Sequence, residues 1–339
     1  MKSIVIDAFG GDYAPEQIVA GALLGLQMQP DVKITLAGKE DVISRLLAGQ
    51  QYDSSRLHIL PASEVIHTEE SPVQALREKK DSSLVQALQM VATGAAQVLI
   101  SSGSTGAVLS GATLIVKRIS GVKRPALAPL LPTVQGGQTL LIDCGANVDS
   151  RPAFLQQFAI MGSAYCEKVL RKSQPRVGLL NNGTEANKGN ELTKEAYQLL
   201  ERTPIHFVGN CEAREALSGE YDVIVSDGFA GNVLLKSIEG TAMALMQMMK
   251  DKLMMNARAK LGAALAKPAL RELKNTFAYD EVGGALLLGV KGGIIKTHGN
   301  AKASTIAAAI RQGASFIDGR VVETIENSIA TSMGSETYE

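Results

Sequence analysis

Short β-branched runs separated by helical patterns recur along this chain, and that alternation constrains its architecture more than any other feature. Ile4-Val5-Ile6, Ile34-Thr35-Leu36, Val98-Leu99-Ile100, Leu140-Leu141-Ile142, Val177-Gly178-Leu179-Leu180, Ile205-His206-Phe207-Val208 and Val223-Ile224-Val225 are the clearest cases. Parallel strands need crossover connections of this kind, so the pattern predicts an α/β fold built on a mostly parallel sheet. The runs lack apolar/polar alternation, which predicts helices on both faces and three layers in all. A chain of 339 residues, 45% hydrophobic, can fill one such unit over 1–330 or two lobes. A lobe boundary is expected near 118–137, where Pro125, Pro129 and Pro132 punctuate an apolar run and Gly136-Gly137 closes it. One or two short strands are expected from Gly283 to Asn300, then a helix from about Ser304 to Ile329 and a flexible tail over 331–339.

The predicted strands end in similar chemistry. Asp7 leads to Gly10-Gly11-Asp12, and Ile100 leads to Ser101-Ser102-Gly103-Ser104-Thr105-Gly106. Asp143-Cys144-Gly145-Ala146-Asn147, Asn181-Asn182-Gly183-Thr184 and Ser226-Asp227-Gly228 follow the same habit. Ligands of open α/β sheets bind beyond the carboxyl ends of the strands, so these loops are expected to converge on one cleft. The stretch Asp222 to Lys236 concentrates the pattern: a buried strand, a turn through Ser226, Asp227, Gly228, Gly231 and Asn232, then a long apolar helix. Unpaired N–H groups at a helix start favour an anion, so the junction reads as one wall of a phosphate or acyl-group site.

Charge narrows the partners. Lys+Arg and Asp+Glu are both 34, so no global field points to nucleic acid. Cys144, Cys166 and Cys211 lack metal or redox spacing and read as core thiols of a reducing compartment. Asp7 interrupts the first apolar run too early for a signal peptide, and no apolar stretch is long enough to span a bilayer. A cytoplasmic protein is expected, with attachment to a membrane surface still allowed.

In Gly178 to Glu191, Lys188 sits in a glycine-bounded loop ahead of a helix, a natural counter-charge for phosphate. The G-x-x-x-x-G-K-[ST] spacing of a nucleotide loop is absent, as are Gly-x-Gly-x-x-Gly after the first strand and a Gly-x-Ser-x-Gly elbow. Ser102-Gly-Ser-Thr-Gly106 offers hydroxyls and glycines at a helix start, with no base beside them. The histidines show no metal spacing; His206 lies in an apolar run, and His298 alone is a candidate for the cleft. Asp7, Asp12, Asp143 and Asp227 suit Mg²⁺, helix capping or the orientation of Lys188 equally well. No metal or cofactor is expected. Many anion donors, a lysine and few nucleophiles suit a reaction whose nucleophile arrives with the substrate.

Residues 233–274 form a helical excursion with six of the eleven methionines between Met243 and Met255. At 100° per residue, Ile238, Ala242, Leu245, Met246, Met249 and Leu253 share the expected core stripe, which leaves Met243, Met248, Met254 and Met255 outside it. Flexible thioethers suit a lipid tail, a partner helix or a bilayer surface, and a helix packed on two sides accounts for them as well. Lys250, Lys252, Arg258, Lys260, Lys267, Arg271 and Lys274 oppose only Asp251 and Glu272 there. That patch is either a solvated face or a landing site for an acidic protein or anionic headgroups.

Taken together, Asp7-Ala-Phe-Gly-Gly-Asp12, Ser102-Gly-Ser-Thr-Gly-Ala107, Asp143-Cys-Gly-Ala-Asn147, Asn182-Gly-Thr-Glu-Ala-Asn-Lys-Gly189, Ser226 through Lys236 and Glu281-Val-Gly-Gly-Ala285 resemble the bacterial phosphate acyltransferase family of phospholipid synthesis. The likeness runs in order from residue 1 to about 330. Phe9 departs from it, since members often carry Met there. The resemblance implies transfer of a long fatty acyl group from acyl carrier protein to inorganic phosphate. It also implies a homodimer, an isocitrate/isopropylmalate dehydrogenase-like fold and peripheral association with the inner face of the membrane. On that reading Lys188, Ser104, Thr105 and the Gly228 and Gly231 backbone bind phosphate. Asn147, Asn232 or His298 meets the carbonyl or leaving sulfur, and Asp227 completes the set. The excursion would contact the acyl chain, carrier or membrane through Arg258, Lys260, Lys267, Met248, Met254 and Met255. Other readings are a phosphotransacetylase or phosphotransbutyrylase using coenzyme A, a decarboxylating dehydrogenase, and a non-catalytic scaffold at the membrane.

Overall fold

The β-branched runs pair into two sheets rather than one. The computed structural model describes residues 1–276 and 283–333, so Glu281 and Val282 of the last motif and 334–339 of the expected tail lie outside the described residues. In chain order the strands are β1 (Lys2–Asp7), β2 (Val32–Gly38), β3 (Leu57–Pro61), β4 (Val98–Ser101), β5 (Ala126–Ala128) and β6 (Leu130–Pro132). They continue as β7 (Gln138–Ile142), β8 (Val177–Asn181), β9 (Phe207–Glu212), β10 (Val223–Val225), β11 (Ala285–Leu288) and β12 (Gly293–Lys296). The α-helices are α1 (Glu16–Met28), α2 (Glu40–Leu47), α3 (Pro72–Glu78), α4 (Ser83–Ala92), α5 (Thr105–Gly111), α6 (Pro152–Lys168), α7 (Glu191–Glu201), α8 (Gly228–Leu253), α9 (Ala257–Thr276), α10 (Ala303–Asp318) and α11 (Val321–Met333). A wider helical turn over Ala112–Val116 prolongs α5.

The first sheet runs β3-β2-β1-β4-β12-β11-β5 and the second β6-β7-β10-β8-β9. Pairing is parallel except at β11 in the first and β6 in the second. The chain passes from one sheet to the other at Pro129, between β5 and β6. One core runs beneath both: Ala126, Ala128, Leu130 and Leu140 belong to the same buried cluster as Ile4, Phe158 and Ile306. The runs are buried from both sides, which is why they carry no polar alternation.

Three boundaries differ from the expectation. β9 starts at Phe207 because the chain bends at Ile205, which packs on the core half-buried, and His206 is exposed. The single helix expected to Ile329 is two, broken at Gly319 and at Arg320, whose φ of 45° ends helical geometry. The excursion is a helix pair, and along α8 only Gly228, Gly231, Leu234 and Leu235 are buried. Beyond them Ile238, packed on the core, and Ala242, Met246, Met249 and Leu253 are half-buried, while Leu245, expected on that stripe, is 59% exposed. The two helices lean mainly on each other, and a single partner covers a narrower stripe than a core does.

Candidate active site

A cavity of about 320 Å³ opens between the sheets, beyond the carboxyl ends of β4, β7, β10 and β12. Thr105 at the start of α5 and Lys296 to Gly299 after β12 line it from the first sheet. Cys144 and Gly145 after β7, and Asn232, Leu235 and Lys236 on α8, line it from the second. Leu127, Pro129 and Leu130 form its floor at the crossover.

Lys296 is the most perturbed cation bordering the cavity. Burial lowers its ammonium from 10.5 to about 8, against the opposing pull of Asp7 and Asp12. Its Nζ donates to the Thr297 carbonyl and, at 3.5 Å, to the Ser102 carbonyl. Asp7 below it is buried, and burial raises its carboxyl while Ser83 Oγ and Ser101 Oγ donate to it at 2.6 and 2.8 Å. Asp7 therefore fixes the β1 and β4 ends and leaves Lys296 available to an anion.

Across the cleft, His298 Nε2 lies 3.7 Å from Glu239 Oε1 on α8. The other oxygen of Glu239 holds Lys236 Nζ at 2.7 Å, while Oε1 is buried and accepts no hydrogen bond among the described residues. At 3.7 Å the carboxylate faces the imidazole as a nearby negative charge. Cys144 also lines the cavity, but burial, then the Asp143 charge, push its thiol up to about 12. It is no thiolate at neutral pH.

The start of α8 differs from its sequence reading. Asp227 Oδ1 accepts from Phe229 N and Ala230 N at 2.9 Å, Gly228 N donates to Asn147 O at 2.8 Å, and Gly231 N donates to Asp227 O at 3.0 Å. Those donors are engaged within the chain, so the anion cradle expected there is filled by the helix's own cap. The two glycines have a packing reason: a Cβ on Gly228 would lie 2.5 Å from Asn147 O, and one on Gly231 2.0 Å from Asp143 O. Asn147 braces the same loop, donating through Nδ2 to Pro125 O at 2.8 Å and to Asp143 Oδ2 at 2.9 Å. Asp143 is buried, and burial raises its carboxyl against donors including Leu127 N at 2.8 Å and Asn147 N at 2.7 Å.

At the start of α5 the situation is reversed. Ser104 is buried and its side chain caps nothing, Thr105 is exposed to the cavity, and the N–H groups of Thr105 and Gly106 meet no acceptor among the described residues. Lys188 is exposed in the loop after β8 and borders neither this cavity nor the larger one beside it. Its loop is tied to β8 and β9, with Asn181 Nδ2 donating to Lys188 O at 3.2 Å and Asn210 Nδ2 to Glu185 O at 2.8 Å. The acidic groups are dispersed, and among the described residues no three His, Cys, Asp or Glu side chains come together as a metal would need.

A family profile described as "Fatty acid synthesis protein" matches residues 2–324. The chain belongs to the fatty acid synthesis protein family. A relative from Bacillus anthracis named "Phosphate acyltransferase" is 47% identical over 324 residues, covering 96% of this chain and 97% of that one. Another from Bacillus cereus, of the same name, is 48% identical over the same span. Among solved structures, a phosphotransacetylase from Streptococcus pyogenes superposes with a TM-score of 0.60 at 16% identity, covering 95% of this chain and 94% of that one. A 4-hydroxythreonine-4-phosphate dehydrogenase from Klebsiella pneumoniae does so at 0.54 and 12%, covering 94% and 99%. These likenesses show the fold.

Within this member of the fatty acid synthesis protein family, Thr105, Asn232 and His298 border the same cavity, and the sequence had singled out all three. Lys296, Lys236 and Glu239 were passed over. Lys296 ends a strand two residues before His298, and a lysine in the last position of a buried strand was the available signal. Glu239 gave none, because only the fold brings α8 to the β12 loop.

Proposed function

We infer that the chain is a phosphate acyltransferase, and propose that it moves a long-chain fatty acyl group from acyl carrier protein to inorganic phosphate, supplying acyl phosphate for phospholipid synthesis. The observation that carries this is a cavity bordered by Lys236, Lys296 and His298, the last of them 3.7 Å from Glu239, with the Cys144 thiol held protonated. A thioester is already activated, so direct attack by phosphate needs only alignment, charge neutralisation and a proton carrier. Lys296, Lys236 and the Ser104-Thr105 turn hold the dianion, and Asn232 donates to the oxyanion as the phosphate oxygen adds to the carbonyl carbon. The carbon–sulfur bond then breaks. His298, backed by Glu239, takes the phosphate proton and returns it to the departing sulfur, so acyl phosphate and thiol leave with no net proton. One oxyanion donor is worth roughly 3 kcal/mol of barrier.

Lys188, outside the cavity, is a second candidate cation on the strength of the family resemblance alone. Thioester loss measured with and without phosphate tests the reaction, and comparison of Lys296→Met with Lys188→Ala assigns the phosphate site. A raised phosphate KM for Lys296→Met alone favours the cavity cation, a rise for Lys188→Ala alone favours the loop, and no phosphate dependence in the wild type refutes the proposal. The helix pair α8–α9 is proposed to rest on an anionic bilayer, supported by Met248, Met254 and Met255 at 61%, 52% and 68% exposure beside exposed Arg258, Lys260 and Lys267. No helix among the described residues is long and apolar enough to cross a membrane. The family resemblance also leads us to propose a homodimer, which sedimentation tests.

A further inference from the structure

A second cavity, of about 970 Å³, neighbours the first and is lined by the same elements. Thr105 borders the first, and Leu109 and Thr113, each four residues further along that helical stretch, border the second. On β11, Ala285 borders the first and Leu287, two residues on and so on the same face, borders the second. The loop after β7 does likewise, with Gly145 in one and Ala146 in the other. Three elements therefore line both cavities, with roughly 12 Å between Thr105 and Thr113 at the helical rise.

The far end is cationic as well, and more densely so. Arg118, Lys123, Arg124 and Arg151 line it, with Asp149 as the opposing carboxylate. Arg118 is steadied by donating to the Lys123 carbonyl, and the Arg124 guanidinium lies 5.9 Å from the centre of the Phe154 ring. Leu109, Leu114 and Leu287 make the intervening wall apolar. A long site, cationic at one end, apolar between and reactive at the other matches a ligand with a phosphate, a neutral arm and a reacting group in that order.

We propose that the second cavity binds the phosphodiester end of a pantetheine-type thioester donor, whose arm runs along α5 and delivers the thioester beside Lys296. The inference rests on the acyl-transfer reading above. The same phosphodiester chemistry occurs on a carrier protein's prosthetic arm and on coenzyme A, and the two are separated by assay.

The test is the double charge reversal Arg124→Glu/Arg151→Glu, with Arg124→Gln/Arg151→Gln as a milder companion, each checked by its urea midpoint. The same acyl group is offered on carrier protein, on coenzyme A and on pantetheine without phosphate, and kcat/KM is measured for each. The expected result is that the ratio of carrier to acyl-pantetheine kcat/KM falls about tenfold or more, through KM and with a flatter salt dependence, and that the coenzyme A ratio falls with it. The glutamine pair should show a smaller fall in the same direction. A ratio within about twofold of wild type overturns the inference. So does a fall confined to the carrier, which assigns the arginines to its protein surface rather than to the phosphodiester. Loss of phosphate-dependent turnover in the wild type refutes the acyl-transfer reading itself, a result the three-donor comparison keeps distinct.

Discussion

Replacing Lys296 by Met should make the protein more stable at neutral pH while impairing its use of phosphate. The ammonium is displaced from 10.5 to about 8 chiefly by burial. At about 1.4 kcal/mol per unit, keeping it charged below pH 8 costs the fold roughly 3 kcal/mol. Methionine removes that cost and retains the apolar stem, but forfeits the donations to the Ser102 and Thr297 carbonyls, worth about 1 kcal/mol each. A net gain of roughly 1 kcal/mol remains. Between pH 8 and 10.5 the unfolded chain holds this proton and the folded chain releases it. The unfolded state therefore binds more protons there, and wild-type stability rises with pH through that window. Urea unfolding of both proteins at pH 7 and pH 10 should show the variant's advantage at pH 7 shrinking and reversing at pH 10. A difference independent of pH would refute the reasoning. In the wild type, phosphate KM should rise as pH climbs through about 8, because the cation is lost.

Glu239→Gln removes the carboxylate facing His298, and kcat should fall by about tenfold in steady-state assays while the phosphate KM stays within about twofold of wild type. Gly231→Ala would force a Cβ to within 2.0 Å of Asp143 O, so the urea midpoint should drop by the equivalent of roughly 3 kcal/mol even though the site is helical. Exchanging Met248, Met254 and Met255 for Ser should weaken flotation with anionic vesicles and leave the unfolding midpoint within about 0.5 kcal/mol, since all three are exposed.

The fold was legible where burial is two-sided and strands are apolar. β1, β2, β4, β7, β8 and β10 fall on the runs read from the sequence, because nothing but a covered parallel sheet suits unbroken Val, Ile and Leu. β3 was passed over because Leu57 to Pro61 is half-exposed, and the three-residue β5 and β6 carry too little pattern to register. Division into two sheets was hidden for a related reason: strand order is a property of pairing, and each run reads alike in either sheet. At the site, Thr105, Asn232 and His298 were visible as polar residues after strands or at helix starts. The glycines at 228 and 231 were visible too, but a residue chosen for close backbone approach and one chosen for anion binding look the same in one dimension. Asp227 decides between them by filling the helix start itself. Glu239 and the arginines of the second cavity acquire a role only from distant segments that fold beside them.

The passage through Pro129 has a mechanical consequence. β5 and β6 are hydrogen-bonded into opposite sheets, Leu141 N donates to Pro129 O at 3.0 Å, and Leu127 N is tied to Asp143 Oδ1 at 2.8 Å. With the shared apolar core behind it, bending at this waist would break those hydrogen bonds and expose buried apolar side chains. The rim, where α8 faces the β12 turn through the His298–Glu239 contact, is where departure of an acyl phosphate would be gated. Turnover limited by release should then respond to that pair more than to any change at the floor.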